Sequence, residues 1–278
     1  MALDSLTSLT VTQDGPIARV RIDHGEINLM DATMMGDLWR LVNWLRSPAG
    51  NRDVRVVVLE SANPDFFIAH VDLALLAASA ENTEAAVGSF QDLVGAFRAL
   101  DQVTIGVVAG RVAGGGMELL VNLDLRFAIT GRAVFNQVET GIGVIPAGSG
   151  PQHLRHLLGW GRALEVILGH DDLDAGLAER YGLVNRALDA DAVGPFLDRL
   201  VQRIATVPLP DIADVKATLA APDIAAGLAE ERSAFARMLA RGAAWAKMQR
   251  FLAAGGQTLD GERRLAELVA DLAQTELA

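Results

Sequence analysis

Residues 104–154 read TIGVVAGRVAGGGMELLVNLDLRFAITGRAVFNQVETGIGVIPAGSGPQHL. The stretch begins with a short apolar run and passes through consecutive glycines at 114–116 to Glu118; a second carboxylate, Glu139, precedes a turn rich in glycine and proline. Glycines leave the backbone open to close approach by a ligand. A helix that begins at them directs its free N–H groups and the positive end of its dipole toward that ligand. The pattern therefore indicates oxyanion stabilisation together with acid–base chemistry.

A second segment, from Asn63 to Leu73, reads NPDFFIAHVDL. Its apolar part turns into a helix near Asp72, which predicts a second backbone N–H donor opposite Gly115. Two such donors are what an oxyanion hole requires. Taken alone, each of these features also fits an ordinary glycine-rich turn or a helix cap, so the prediction depends on their combination.

The composition favours one large globular domain, or a domain with a helical appendage. A chain of 278 residues, 51% of them hydrophobic, is long enough for a full core. The formal net charge of −11 argues against nucleic-acid binding, which needs clustered cations. Cysteine is absent, which excludes disulfides, thiolate zinc sites and cysteine nucleophiles. With neither a signal-peptide pattern nor an uninterrupted apolar span, we expect a cytoplasmic protein without a membrane segment.

Hydrophobic periodicity predicts an α/β core followed by helices. The core elements expected are a hairpin over 8–23, helices over 32–47, 83–100, 150–158, 160–168 and 174–181, and strands over Val54–Leu59, Thr104–Ala109, Leu123–Ile129, Ala133–Phe135 and Leu183–Arg186. Beyond these, the helices expected lie over 190–206, 211–220, 223–254 and 260–276. We therefore predict a core over residues 1–190 and a helical region over 191–278 that mediates oligomerisation and covers the active site.

The two glutamate segments together resemble the crotonase (enoyl-CoA hydratase/isomerase) superfamily, over residues 8–188. The strongest match is AGGGMELLVNLDLRFA followed by FNQVETGIGVIPAGSGPQHL, and a further match is GRALEVILGHDDLDAGLAERYGLVNRAL. The resemblance implies a ββα spiral core with a helical C-terminal region. It also implies a homotrimer or a hexamer, an acyl-CoA substrate, and neither a metal nor a separate cofactor.

The resemblance assigns roles to individual residues. Glu118 and Glu139 fall on the two catalytic glutamates, and Val71 and Gly115 fall on the two oxyanion donors. His70 replaces a glycine of the family pattern, as a structural substitution or as a new polar group near the thioester. If that glycine has a positive φ, His70 is strained or the loop differs. The substrate contacts that the resemblance implies are Ala69, His70, Asp72, Leu73, Gly114, Gly116 and Pro146.

The presence of both glutamates favours reversible syn-hydration of a 2-enoyl thioester, as in fatty acid metabolism. Glu118 would hold and deprotonate water, and Glu139 would deliver a proton to Cα. Two alternatives stay open: an enoyl-CoA isomerase or related enolate chemistry, and a catalytically idle scaffold that binds acyl thioesters. The segment from His24 to Met30, which in the family helps hold CoA, is weakened here, so a carrier-protein thioester is also open.

Overall fold

The computed structural model describes residues 3–48, 53–75, 80–219, 228, 232, 235–236, 239–240 and 242–274. Its strands are β1 (Leu9–Asp14), β2 (Ile17–Ile22), β3 (Val56–Ser61), β4 (Phe66–Ile68), β5 (Val103–Val108), β6 (Arg111–Ala113), β7 (Leu125–Ile129), β8 (Val134–Asn136), β9 (Leu173–Asp174) and β10 (Arg186–Leu188). They form a six-stranded sheet in the order β1-β2-β3-β5-β7-β10 and a four-stranded sheet in the order β4-β6-β8-β9. The predicted α/β class is confirmed.

Helices surround both sheets. The α-helices are α1 (Ala32–Arg46), α2 (Ala80–Arg98), α3 (Gly114–Val121), α4 (Gly150–Leu158), α5 (Trp160–Gly169), α6 (Ala175–Tyr181), α7 (Ala190–Ala205), α8 (Leu209–Leu219), α9 (Ala243–Ala253), α10 (Leu259–Arg263) and α11 (Leu265–Gln274). Short 3₁₀ helices cover Leu73–Leu75 and Glu139–Ile142. Within the described ranges, no helix has both the length and the apolar character to cross a membrane.

The central strands of the large sheet, β3, β5 and β7, are buried on both faces. The predicted hairpin is confirmed as the antiparallel pair β1–β2, and the next strands add in parallel. In β3, Val57 and Leu59 belong to the cluster that contains α1 and α2 side chains. Val56 and Val58 instead pack with Leu197 of α7. Because successive side chains of a strand point to opposite faces, one valine-rich run serves two interfaces.

The small sheet places three functional segments side by side. Strands β4, β6 and β8 are parallel neighbours, with Ile68 paired to Val112 and Ala113 paired to Asn136. Each of these strands leads directly into a predicted site segment: residues 69–72, the glycines at 114–116, and the loop that carries Glu139. The carboxyl ends of parallel strands lie at one edge of a sheet, so the topology itself gathers the segments.

Several predicted bounds are wrong. The strand expected over Leu183–Arg186 lies at Arg186–Leu188, because Leu183 and Val184 are buried in a turn without strand pairing. The helix expected over 260–276 is divided at Arg264 into α10 and α11. Strands β4, β6 and β9 were not predicted, because runs of two or three residues are too short to show alternation.

The helix predicted over 223–254 falls partly outside the described residues. Within the described part, Gly242 has a φ of +80° and precedes α9, so the predicted helix does not continue through this position. A left-handed residue ends one helical segment before another begins.

Residues from α7 onward pack against the rest of the chain through two apolar clusters, among other contacts. Helix α7 packs on the large sheet. Phe251 of α9 and Val269 of α11 instead join a buried cluster with Ile142 and Val144, in the loop that follows β8. The division of the chain at residue 190 stays a prediction.

Asp37 ties the N-terminal segment to α1. Its Oδ2 atom accepts hydrogen bonds from the backbone N–H groups of Thr7 (2.7 Å) and Ser8 (2.8 Å) and from the Ser8 hydroxyl (2.9 Å). Burial acts to raise the pKa of the Asp37 carboxyl, but these hydrogen bonds outweigh it and hold the pKa below its usual range. The interaction therefore depends on the ionised carboxylate.

We expect Asp37→Asn to lower the free energy of unfolding by about 2–3 kcal/mol at pH 7, because a buried charge-assisted network is lost. The folded-state pKa is depressed, so the stabilisation is present above the unfolded pKa, about pH 4, and is lost as pH falls through the folded pKa. Urea unfolding at pH 7 and at pH 3 measures both effects. The control Asp14→Asn, at an exposed hairpin position, should change stability by less than about 0.5 kcal/mol. Equal losses in the two variants would refute the prediction.

Candidate active site

The glycines that begin α3 lie directly against the chain segment that follows β4. A Cβ atom added at Gly115 would lie 2.3 Å from Cγ2 of Val71, and one added at Gly116 would lie 2.7 Å from the carbonyl oxygen of Ile68. At such distances, any side chain at either position would force the neighbouring atoms to shift. The absence of Cβ atoms therefore lets the two backbone segments approach each other closely.

Two backbone N–H groups are left for a ligand where these segments meet. Met30 pairs with both neighbours of Val71: its N–H donates to the His70 carbonyl (2.9 Å), and its carbonyl accepts from the Asp72 N–H (3.0 Å). The Val71 N–H points away from Met30 and donates to no backbone acceptor among the described residues. Gly115 is in the first turn of α3, where an N–H has no partner within the helix, and α3 has no side-chain cap.

A cavity of about 430 Å³ lies in front of these two donors. Glu118 and Glu139 line the same cavity, so the four groups that the sequence singles out face one space. Much of the remaining wall is aromatic or aliphatic. The large apolar side chains of the lining include Met35, Trp39, Leu73, Leu75, Val87, Phe90, Ile142, Val144, Ile145, Phe235 and Phe251.

Glu118 is buried and held by backbone amides. Its Oε1 atom accepts hydrogen bonds from the N–H groups of Gly148 (2.7 Å) and Gly150 (2.8 Å). Ser149 between them has a φ of +83°, and this left-handed residue lets alternate N–H groups converge on one oxygen. Asn122 of the loop after α3 donates to the Ser149 hydroxyl (2.7 Å), which supports the turn. The two amides stabilise negative charge on the Glu118 carboxylate.

Glu139 occupies a different environment. It begins the 3₁₀ helix after β8, and the Gln137 side-chain amide donates to its Oε2 atom (2.9 Å). Burial raises the pKa of the Glu139 carboxyl, and the Gln137 amide and the nearby His70 charge only partly oppose that shift. Glu139 therefore retains a proton to a higher pH than an exposed glutamate. Two carboxylates with environments this different are suited to separate acid and base roles.

His70 makes a buried ion pair that the sequence did not predict. Its Nδ1 atom lies 3.0 Å from the Val71 carbonyl oxygen, and its Nε2 atom lies 2.9 Å from Oε1 of Glu262. Burial acts to lower the pKa of His70, but the Glu262 carboxylate outweighs it and raises the pKa. The pKa of the fully buried Glu262 is in turn lowered, chiefly by His70 against the effect of burial. The backbone of His70 lies outside the left-handed region, so replacing glycine introduces no strain there.

Glu262 is the main site residue that the sequence interpretation missed. It lies in α10, within the stretch 260–276 that the sequence predicts only as a helix. A histidine in a mostly apolar segment indicates that a polar partner exists. It does not indicate which of the chain's acidic residues provides it.

The residues predicted as catalytic, as oxyanion donors and as substrate contacts divide into two groups. Val71, Gly115, Glu118, Glu139, His70 and Leu73 line the cavity. Ala69, Asp72, Gly114, Gly116 and Pro146 are not among the described residues that line it; Ala69 packs with Phe66, and the Asp72 carboxylate accepts a hydrogen bond from the Ala74 N–H. The roles of both groups in binding stay predictions.

The sequence profile of the enoyl-CoA hydratase/isomerase family matches residues 12–256. The chain belongs to this family. Among solved structures, a putative enoyl-CoA hydratase from Streptomyces avermitilis is 36% identical with a TM-score of 0.88, covering 97% of this chain and 100% of that one.

More distant structures agree with this assignment. DspI of Pseudomonas aeruginosa is 29% identical with a TM-score of 0.70, over 76% of this chain and 86% of that one. An enoyl-CoA hydratase from Bacillus anthracis is 25% identical with a TM-score of 0.71, over 82% of this chain and 90% of that one. The crotonase-like fold predicted from the sequence is thereby confirmed, and the chain is an enzyme of the hydratase/isomerase type.

We expect Gly116→Ala to destabilise the family fold by about 1–3 kcal/mol, because the added methyl group would overlap a backbone oxygen at the end of β4. Gly95→Ala is a matched control within α2. Apart from its own helical turn, no atom of the described residues lies within 4 Å of its added methyl group, and the change should stabilise by about 0.5–1 kcal/mol. Thermal and urea unfolding measure both variants. A gain in stability for Gly116→Ala would contradict the close approach.

Proposed function

We propose that this enzyme catalyses the reversible syn addition of water to the double bond of a 2-enoyl-CoA thioester. The supporting observation is one cavity that contains two backbone N–H donors, from Val71 and Gly115, and two carboxylates, from Glu118 and Glu139. The reaction is redox-neutral and needs no group beyond water and the thioester. No separate cofactor is therefore part of the proposal.

The two N–H groups act on the thioester carbonyl. Negative charge accumulates on its oxygen when water adds to Cβ and Cα becomes enolate-like. Val71 and Gly115 donate hydrogen bonds to that oxygen, and the positive end of α3 adds to the same stabilisation. Loss of one such donor typically removes about 3–4 kcal/mol of transition-state stabilisation.

The two carboxylates divide the proton transfers. Glu118 is held as a carboxylate by the Gly148 and Gly150 amides, so it binds water and accepts its proton as the oxygen attacks Cβ. Glu139, whose raised pKa favours the protonated form relative to an exposed glutamate, delivers a proton to Cα. Water oxygen and proton then add from the side of the double bond that faces the carboxylates.

The lining of the cavity supports a hydrocarbon acyl group. Its charged or titratable members are Glu118, Glu139 and His70, and the first two are assigned to proton transfer. Most of the other described lining side chains are aromatic or aliphatic, and the Trp39 indole and the Ser89 hydroxyl add two uncharged polar groups. We therefore propose an apolar 2-enoyl thioester as the substrate class.

We expect Glu118→Gln and Glu139→Gln each to lower kcat for crotonyl-CoA hydration by about 10²–10⁴-fold, because each removes one proton-transfer group. Loss of absorbance of the conjugated enoyl thioester measures the rate. The matched control is Glu179→Gln, at an exposed position of α6, which should keep the wild-type rate. Unchanged rates in both active-site variants would exclude the assignment.

A 3-enoyl thioester tests the isomerase alternative with the same proteins. An isomerase moves a proton between carbons and produces the conjugated 2-enoyl thioester without adding water. Rapid conversion of the 3-enoyl compound, with no hydration of crotonyl-CoA, would replace the hydratase proposal. Tight binding of acetoacetyl-CoA without turnover of either compound would favour the idle scaffold.

The raised pKa of Glu139 predicts a specific pH dependence. If protonated Glu139 supplies the proton, kcat/KM for hydration falls as pH rises through that pKa, which lies above the usual glutamate range. The alkaline limb should disappear in Glu139→Gln and persist in the residual activity of Glu118→Gln. A profile that keeps this limb after the Glu139 substitution would assign it to another group.

A further inference from the structure

The proposed reaction uses neither His70 nor Glu262, although both are buried beside the cavity. We propose that His70, held by Glu262, is a positioning residue that sets the direction of the Val71 N–H donor. The inference rests on the proposed function, because it concerns the oxyanion hole of that reaction. It assigns a use to the histidine that replaces glycine in this chain.

The hydrogen bond between the His70 ring and the Val71 carbonyl restrains the peptide unit that joins these two residues. His70 Nδ1 donates to the carbonyl oxygen of Val71 (3.0 Å), and the ring that this bond closes contains the peptide bond between His70 and Val71. That peptide unit carries the Val71 N–H. A peptide unit is planar, so restraining the atoms around it fixes where its N–H points. Met30 restrains the opposite side of the same unit by donating to the His70 carbonyl oxygen (2.9 Å).

The ion pair keeps the required proton on Nδ1. A neutral imidazole carries one proton, on either nitrogen, and only the Nδ1–H form can donate to the Val71 carbonyl. Nε2 lies 2.9 Å from Glu262 Oε1, and a carboxylate there favours the form protonated on both nitrogens. Two further titratable groups act on this pair: Glu139, in its ionised form, acts on His70, and Arg111 acts on Glu262.

The ion pair also connects residues 69–72, which carry the Val71 N–H donor, to α10. Oε1 of Glu262 accepts a further hydrogen bond from the Gln257 N–H (2.7 Å), where the backbone has a φ of +63°. This contact fixes the carboxylate from the segment that precedes α10. The direction of the Val71 N–H therefore depends on the C-terminal part of the chain being folded.

A contribution to folding stability does not by itself explain the buried ion pair between His70 and Glu262. Desolvation offsets most of the attraction in buried ion pairs, so they contribute little to stability compared with apolar side chains. Glu262 Oε2 is buried and has no hydrogen-bond partner among the described residues, which adds a further cost. A pair selected only for stability would satisfy that oxygen. Positioning of the donor gives the pair a function that compensates for the cost.

Two amide substitutions at His70 distinguish a role in orienting the Val71 N–H from a role that only links this segment to α10. The side-chain nitrogen of asparagine lies where His Nδ1 lies, and that of glutamine reaches the place of Nε2. We place both in a Glu262→Gln background, so that no unpaired charge is buried. His70→Asn should keep the donor to the Val71 carbonyl, whereas His70→Gln should keep the link to α10 and lose that donor.

The probe is a dimethylaminocinnamoyl thioester of CoA, whose absorption moves to longer wavelength when its carbonyl accepts hydrogen bonds. In the Glu262→Gln background, we expect His70→Asn to keep the wild-type band shift and to stay within about tenfold of the wild-type kcat. His70→Gln should lose most of the shift and about 10²-fold in kcat, with little change in KM, because a displaced donor acts mainly on the transition state. Circular dichroism and thermal unfolding confirm that each variant is folded.

The control for the link to α10 is Arg263→Gln, which removes the exposed ion pair between Arg263 and Asp65 and should leave the band shift and kcat unchanged. Equal band shifts in the His70→Asn and His70→Gln variants, large or small, would overturn the positioning role. A wild-type enzyme that shifts the band but hydrates no enoyl thioester would exclude the hydratase and leave the positioning comparison valid. A wild-type enzyme that binds the probe without any shift would overturn both proposals.

Discussion

The close approach between the first turn of α3 and the backbone after β4 is the constraint on which the site depends. Gly115 and Gly116 permit it because neither carries a Cβ atom that would meet Val71 or Ile68. The approach brings two N–H groups to the wall of one cavity and places Glu118 beside them. Parallel pairing of β4, β6 and β8 delivers both segments, and the loop with Glu139, to the same edge.

The two carboxylates differ in the groups that donate hydrogen bonds to them. Gly148 and Gly150 direct two N–H groups at Glu118, and the left-handed residue between them makes this convergence possible. The Gln137 side-chain amide donates a hydrogen bond to Glu139, and burial raises the pKa of the Glu139 carboxyl. The same residue type therefore occupies two different environments, which is the difference on which the proposed division of base and acid roles rests.

The C-terminal part of the chain completes the site from two directions. Phe251 of α9 forms part of the cavity wall, and Val269 of α11 packs against the turn that holds Glu139, only 2.1 Å from where a Cβ of Gly141 would lie. Glu262 of α10 reaches His70 across 192 positions of sequence. Assembly of the site and folding of these helices are therefore coupled.

Local patterns in the sequence determined the features whose causes are local. The β1–β2 hairpin, the buried valine-rich strands and the helix that begins at Gly114 follow from side-chain alternation and from the conformational freedom of glycine, and each is present. Glu118 and Glu139 were singled out by their position next to glycine-rich turns, and both line the cavity. Tertiary structure alone decided the partner of His70, the short strands β4 and β6, and the helix boundaries at Gly242 and Arg264. The reason is that a buried ion pair, or a strand of three residues, is stabilised by groups distant in the chain, and no spacing between neighbouring residues records which groups those are.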